Sequence, residues 1–110
     1  FRILFCGTPE FAIPSLQALA QDSQFEIVHV ISQPDRPAGR GYKLQASPVK
    51  AEALKMNLPV STPENINAPE VIAELSQLKL DAIVVVAYGQ ILKKAFLELC
   101  PERCVNLHGS

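Results

Sequence analysis

The sequence lacks many of the features that reveal a role at once, and each gap excludes something. It has only three cysteines, Cys6, Cys100 and Cys104, an odd number with no C-x-x-C among them. That argues against a disulfide framework and for reduced thiols. Cys100-x3-Cys104 is at most half of a metal site and no second half accompanies it, so no metal is expected. The formal net charge is -1 over 110 residues, so no global field draws the chain to nucleic acid or to a membrane, and any basic patch must be local. The longest apolar run, Ala82 to Ala87, is far too short to cross a bilayer, and no basic-then-apolar leader opens the sequence. The expectation is a cytoplasmic chain without membrane contact. Three further motifs are missing: the G-x-G-x-x-G turn of dinucleotide sites, the G-x-x-x-x-G-K-[ST] phosphate loop and the G-x-S-x-G serine elbow.

What is present is a good supply of core residues. Hydrophobic side chains make up 48% of the chain, enough for one small domain or part of a larger one. Arg2 to Cys6 is a short apolar run closed by Gly7, the pattern of a buried parallel strand. Thr8-Pro9-Glu10 carries three helix-start signals: a capping hydroxyl, a proline for the first position and an acid in the first turn. Ala12, Leu16, Leu19 and Ala20 follow at helical spacing; Pro14 means that the helix starts there after one loose turn, or kinks. Phe25 to Ile31 is a second strand, with His29 as a partly exposed strand histidine.

Gln33 to Ala46 differs in kind. It has two prolines, two glycines, the bases Arg36, Arg40 and Lys43, the single acid Asp35, and no apolar periodicity. Such a loop is either a solvated insertion or a basic element suited to phosphate. Ser47-Pro48 caps a short helix whose apolar side is Val49, Ala53, Leu54 and Met56, with Asn57 as its stop. Leu58-Pro59-Val60 fits only a brief edge strand. Asn67 is placed to cap a helix with the stripe Val71, Ile72, Leu75 and Leu78, while Glu70 and Glu74 stay on its polar side. Asp81 to Val86 is the strongest strand, β-branched and without polar alternation. After Ala87-Tyr88-Gly89-Gln90, a helix over Ile91, Leu92, Ala95, Phe96 and Leu99 is expected, with Lys93 and Lys94 outward, ended by Pro101.

Cys104 to Leu107 reads as the last strand. Asn106 and His108 are two apart and share a face, with Leu107 between them free to be buried on the other. Five strands alternating with helices predict an α/β fold: a doubly wound, mostly parallel, Rossmann-like sheet of order 3-2-1-4-5. The carboxyl ends of strands one, four and five then meet at one crevice, carrying Gly7-Thr8-Pro9, Ala87-Tyr88-Gly89-Gln90 and Asn106-Leu107-His108. Asn106 and His108 either satisfy nearby backbone groups or do chemistry. As a pair they suit acyl transfer to an amine: the amide holds an oxygen that becomes negative and the imidazole moves protons.

Five stretches carry a resemblance: Phe5-Cys6-Gly7-Thr8-Pro9-Glu10-Phe11, Gln33-Pro34-Asp35-Arg36-Pro37-Ala38-Gly39-Arg40-Gly41, Ser47-Pro48-Val49-Lys50, Val85-Val86-Ala87-Tyr88-Gly89 and Asn106-Leu107-His108-Gly109-Ser110. In this order they resemble the methionyl-tRNA formyltransferases. The last stretch alone marks a wider superfamily that includes glycinamide ribonucleotide and sugar-nucleotide formyltransferases and a formyltetrahydrofolate hydrolase; the Gln33 stretch is the sign of the tRNA-acting branch. The resemblance implies formyl transfer from 10-formyltetrahydrofolate to the amine of methionine on charged initiator tRNA. It implies that Asn106 steadies the oxyanion and His108 transfers protons. It implies that Tyr88, Gly89, Gln90, Ile91 and Leu92 line the pterin pocket and that Ser110 begins a folate-contacting turn. It implies that the loop 33–46, through Arg36, Arg40 and Lys43, meets the tRNA acceptor end. Lys93 stands where the family usually has proline. The resemblance further implies that residues 1–110 are the N-terminal portion of the catalytic domain, with the later strands, the family's catalytic Asp and a C-terminal β-domain downstream, so that this portion alone is inactive and the full-length protein a monomer. A small-molecule formyltransferase, or a folate-binding module without catalysis, remains as an alternative.

Overall fold

The structure is a computed structural model and describes residues 1–38, 41 and 43–107. A five-stranded parallel sheet forms its centre. Its strands are β1 (Arg2–Gly7), β2 (Glu26–Ile31), β5 (Val60–Ser61), β6 (Ala82–Val86) and β7 (Cys104–Leu107), in the order β5-β2-β1-β6-β7. In chain order of these five strands that is 3-2-1-4-5, as expected from the sequence. The order reverses between β1 and β6, so the crevice of an open α/β sheet falls at their carboxyl ends.

Helices cover both faces, and alternation along the strands decides what each receives. Leu4, Cys6, Ile83 and Val85 point to one side, where Ile66, Leu75, Phe96 and Cys100 from α3 (Pro69–Ser76), α4 (Lys94–Leu97) and their flanks complete a core. Phe5, Val30 and Val86 point to the other, against Ala12 and Leu16 at α1 (Ile13–Gln21) and Val49 and Ala53 of α2 (Pro48–Lys55). The apolar runs of β1 and β6 lack alternation because both of their faces are covered.

Local signals were kept where nothing competed for them. Ser47 accepts the Lys50 N–H at 3.0 Å and caps α2. That helix ends with Asn57 at φ 59, Leu58 N–H bonding Ala53 O at 2.9 Å and Asn57 N–H bonding Leu54 O at 3.1 Å, the Schellman arrangement. Pro14 is resolved as a start, not a kink: a single 3-10 turn, Glu10–Ala12, precedes α1, and Pro14 lies in its first turn.

Elsewhere tertiary partners took over. Thr8 does not cap; its hydroxyl donates across the sheet to Tyr88 O, and Pro9 precedes the 3-10 turn. Asn67 does not cap α3, whose N-cap is Ala68. Pro69 at the first helical position has no N–H to satisfy, which leaves the Asn67 amide for another task. The helix expected from Ile91 begins only at Lys94, because the backbone before it is tied elsewhere; Ile91 is 80% exposed. Leu107 is 47% exposed and not buried: β7 is an edge strand, and among the described residues no helix covers its Leu107 side. The region 33–46 has structure of its own, a two-stranded antiparallel ribbon of β3 (Arg36–Ala38) and β4 (Lys43–Gln45).

Candidate functional site

Gly7, Val86 and Leu107 lie on one level of three adjacent strands, so their chain exits span only about 10 Å of sheet. Gly7 permits this closeness. A Cβ there would lie 2.9 Å from Ala12 Cβ, 2.9 Å from Val86 O and 3.0 Å from Phe5 Cε2.

Below that level Asn106 pairs with Val85, and Val85 with Cys6. By alternation the Asn106 side chain lies on the α3–α4 side of the sheet. There it is exposed and borders a cavity of about 720 Å³, whose other walls are the loop 87–92, Val85, Leu97, Pro101 and Cys104. The volume and the mixed lining suit a small organic ligand.

The loop 87–92 is shaped by backbone and held by amides. Ala87 at φ 51 and Gly89 at φ 105 turn the chain out of β6. Tyr88 O takes the Thr8 hydroxyl. Gly89 O accepts from Gln33 Nε2 at 3.0 Å. Ile91 O accepts from Asn67 Nδ2 at 2.8 Å, and the same amide's oxygen accepts the Lys93 N–H at 2.9 Å. Gln90 turns its amide inward, donating to Gln33 Oε1 at 2.8 Å and Pro63 O at 3.1 Å and accepting the Ile66 N–H at 2.8 Å. Among the described residues, the N–H groups of Tyr88 to Leu92 make no hydrogen bond within the protein. Five successive donors on a held loop beside a cavity could meet a ligand with ring nitrogens and carbonyls.

The Tyr88 ring is 2% exposed, and its hydroxyl has no partner among the described residues. Burial, with a smaller contribution from Cys6, pushes its pKa well above the usual phenol value, so it is a neutral wall group and not a base. Burial likewise holds Cys6 as the thiol, with Cys104 a lesser cause; Cys6, Cys100 and Cys104 are all free, as expected.

The basic ribbon is fixed at its neck. Ser32 and Ser47 hydroxyls pair at 2.5 Å, and Asp35, the acid of the region, is held by Lys50 Nζ at 2.8 Å. Its charge is thereby compensated outside the ribbon. The register sets Arg36 opposite Gln45 and the residue at 38 opposite Lys43. Arg36 and Lys43 therefore share one face, while Pro37 and Leu44, the latter 68% exposed, share the other. Arg40, His108 and Ser110 lie outside the described residues. His29 is a half-buried strand residue, as read from the sequence; its Nε2 meets Ser61 Oγ at 2.8 Å, away from the cavity.

Of the residues singled out from the sequence, the structure brings together Asn106, Tyr88, Gly89, Gln90, Ile91 and Leu92. It adds Thr8, Gln33 and Asn67, whose side chains hold the loop. No local pattern marks those three for this task, since each acts on a residue at least 24 positions away.

A parallel sheet wound on both faces, with a cavity at the reversal of strand order and a polar amide on its rim, defines a Rossmann-like α/β protein with an open crevice at the strands' carboxyl ends. The formyl transferase family model matches residues 1–110, and the chain belongs to that family. It is 53% identical over 110 residues to the methionyl-tRNA formyltransferase of Trichlorobacter lovleyi, covering 100% of this chain and 34% of that protein. It is 54% identical over 109 residues to the methionyl-tRNA formyltransferase of Hydrogenobaculum sp., covering 99% of this chain and 35% of that protein. The chain thus spans about a third of the length of the curated relatives it matches. Among solved structures it resembles glycinamide ribonucleotide transformylase 1 from Geobacillus kaustophilus, with a TM-score of 0.68 at 18% identity over 96% of this chain and 56% of that one. It also resembles phosphoribosylglycinamide formyltransferase from Bacillus halodurans, with a TM-score of 0.66 at 19% identity over 96% and 55%. At these identities the likeness shows the fold alone.

Proposed function

We propose that residues 1–110 are the N-terminal portion of the catalytic domain of an enzyme that formylates the amine of methionyl initiator tRNA. The supporting observation is the cavity beside Asn106, walled by a clamped loop whose five N–H groups have no hydrogen-bond partner among the described residues. The residues present fit a reduced folate: the Tyr88–Leu92 loop would hold the pterin ring through backbone donors, with Ile91 and Leu92 as apolar contacts. 10-Formyltetrahydrofolate would supply the formyl group as co-substrate.

Asn106 would donate its side-chain N–H to the formyl oxygen as that oxygen becomes negative. His108, two residues on and so at the spacing that shares a strand face, would take the proton from the attacking amine and return it to the departing folate nitrogen. One carbon–nitrogen bond forms and one breaks, with no change of oxidation state. Ser110 would begin the turn that closes on the folate. Arg36, Arg40 and Lys43 of the ribbon would contact acceptor-stem phosphates, as would suit a basic element whose acid is paired elsewhere. The protein would act in the cytoplasm as a monomer. Among the described residues no helix is long and apolar enough to cross a membrane.

The test is Asn106→Ala in the full-length protein. The rate of formyl transfer should fall about 10²–10³-fold while reduced-folate affinity changes far less. An unchanged rate would remove Asn106 from the chemistry. Removing residues 36 to 41 separates this reading from a small-molecule formyltransferase: tRNA formylation should be lost, whereas transfer to a small amine would survive.

A further inference from the structure

The neck of the basic ribbon and the cavity loop share one side chain. Gln33 opens the region 33–46, three positions before Arg36. Its amide uses both ends at once, donating from Nε2 to Gly89 O at 3.0 Å and accepting at Oε1 from Gln90 Nε2 at 2.8 Å. Gly89 is shaped to admit it, since a Cβ there would lie 2.9 Å from Gln33 Nε2. Around it the neck is stiff, closed by Ser32–Ser47 and Asp35–Lys50. The ribbon is thereby joined, through the backbone of 33–36 and the Gln33 amide, to the loop that faces the cavity.

We propose that Gln33 is a positioning residue that couples the ribbon to the cavity loop, so that filling one site changes affinity at the other. The inference rests on the proposed function for the nature of the two ligands. An amide suits both bonds: a donor alone abandons Gln90, and a carboxylate would set a negative oxygen against the Gly89 carbonyl oxygen. By reciprocity, whatever factor tRNA imposes on folate binding, folate imposes on tRNA binding.

The experiment measures the dissociation constant of tetrahydrofolate for a full-length protein carrying this chain, alone and with saturating initiator tRNA. The native protein should show a ratio of about fivefold or more between the two. In Gln33→Ala the ratio should collapse to one, whatever the shift in each ligand's separate affinity. Gln33→Glu, which keeps the acceptor for Gln90 and loses the donor, should also collapse it. A native ratio of one, or a ratio retained in Gln33→Ala, overturns the coupling. If neither ligand binds, the function reading fails by itself. Amide hydrogen exchange then decides the coupling: Gln33→Ala should speed exchange in 88–92 and in the ribbon together by about tenfold, and no change in the ribbon overturns it.

Discussion

Replacing Gly7 by alanine tests whether the meeting of β1, β6 and the first helical turn is as tight as its geometry says. Two effects oppose each other. Alanine narrows the unfolded ensemble, which stabilises by about 0.4–1 kcal/mol. Against that, the added methyl lies 2.9 Å from Ala12 Cβ and 2.9 Å from Val86 O, with Phe5 Cε2 at 3.0 Å. The oxygen belongs to the backbone of a paired strand and Ala12 is fully buried, so neither can rotate away. Overpacking of this kind costs about 1–3 kcal/mol, and rigid neighbours argue for the upper half of that range. The net loss is about 1–2 kcal/mol, and the melting temperature of a chain this size should drop by roughly 4–8 °C. The assay is thermal unfolding followed by circular dichroism. Ala12→Gly in the Gly7→Ala background removes one of the three collisions and should return part of the loss. A melting temperature for Gly7→Ala at or above that of the parent would refute the packing argument.

Two other outcomes follow from side chains that hold something in place. Asn67→Ala removes both the donor to Ile91 O and the acceptor of the Lys93 N–H. Denaturant unfolding should show a loss of about 1–2 kcal/mol, and limited proteolysis should open first between residues 90 and 94. Burial holds the His29 imidazole below its ordinary 6.5, with Glu74 pulling weakly the other way. The folded pKa is then lower than the unfolded one, so its contribution is complete above 6.5 and is lost as pH falls from there through the folded value. The difference in urea midpoint between the parent and His29→Gln should therefore vary between about pH 7 and pH 5 and be flat above about pH 7; a flat difference throughout would contradict it.

The sheet was legible because its strands advertise themselves. The uninterrupted apolar runs ending at Cys6 and Val86 have one explanation, and the reversal of strand order follows from the pattern of connections. The placement of Asn106 was also legible, since alternation alone fixes its face. What the sequence hid are the long-range uses of polar side chains. Thr8 and Asn67 both carry strong capping signals, yet each bonds a backbone group of the loop 88–93. A hydroxyl or amide near a helix start serves whichever buried backbone group would otherwise lack a partner. The same bonds explain why the apolar period from Ile91 failed to make a helix there. The ribbon was hidden for a different reason: Pro37 and Gly41 mask a pairing that only three residues on each strand sustain.

Ala87 stands at the exit of β6 with a left-handed backbone, φ 51. A side-chain-bearing residue held there carries about 1–2 kcal/mol of local strain that glycine would not. The mouth of the cavity is thus sprung: the bonds from Thr8, Gln33 and Asn67 hold a contour that the Ala87 methyl disfavours. Glycine at this position would release that tension and leave the curvature beside the cavity where it is.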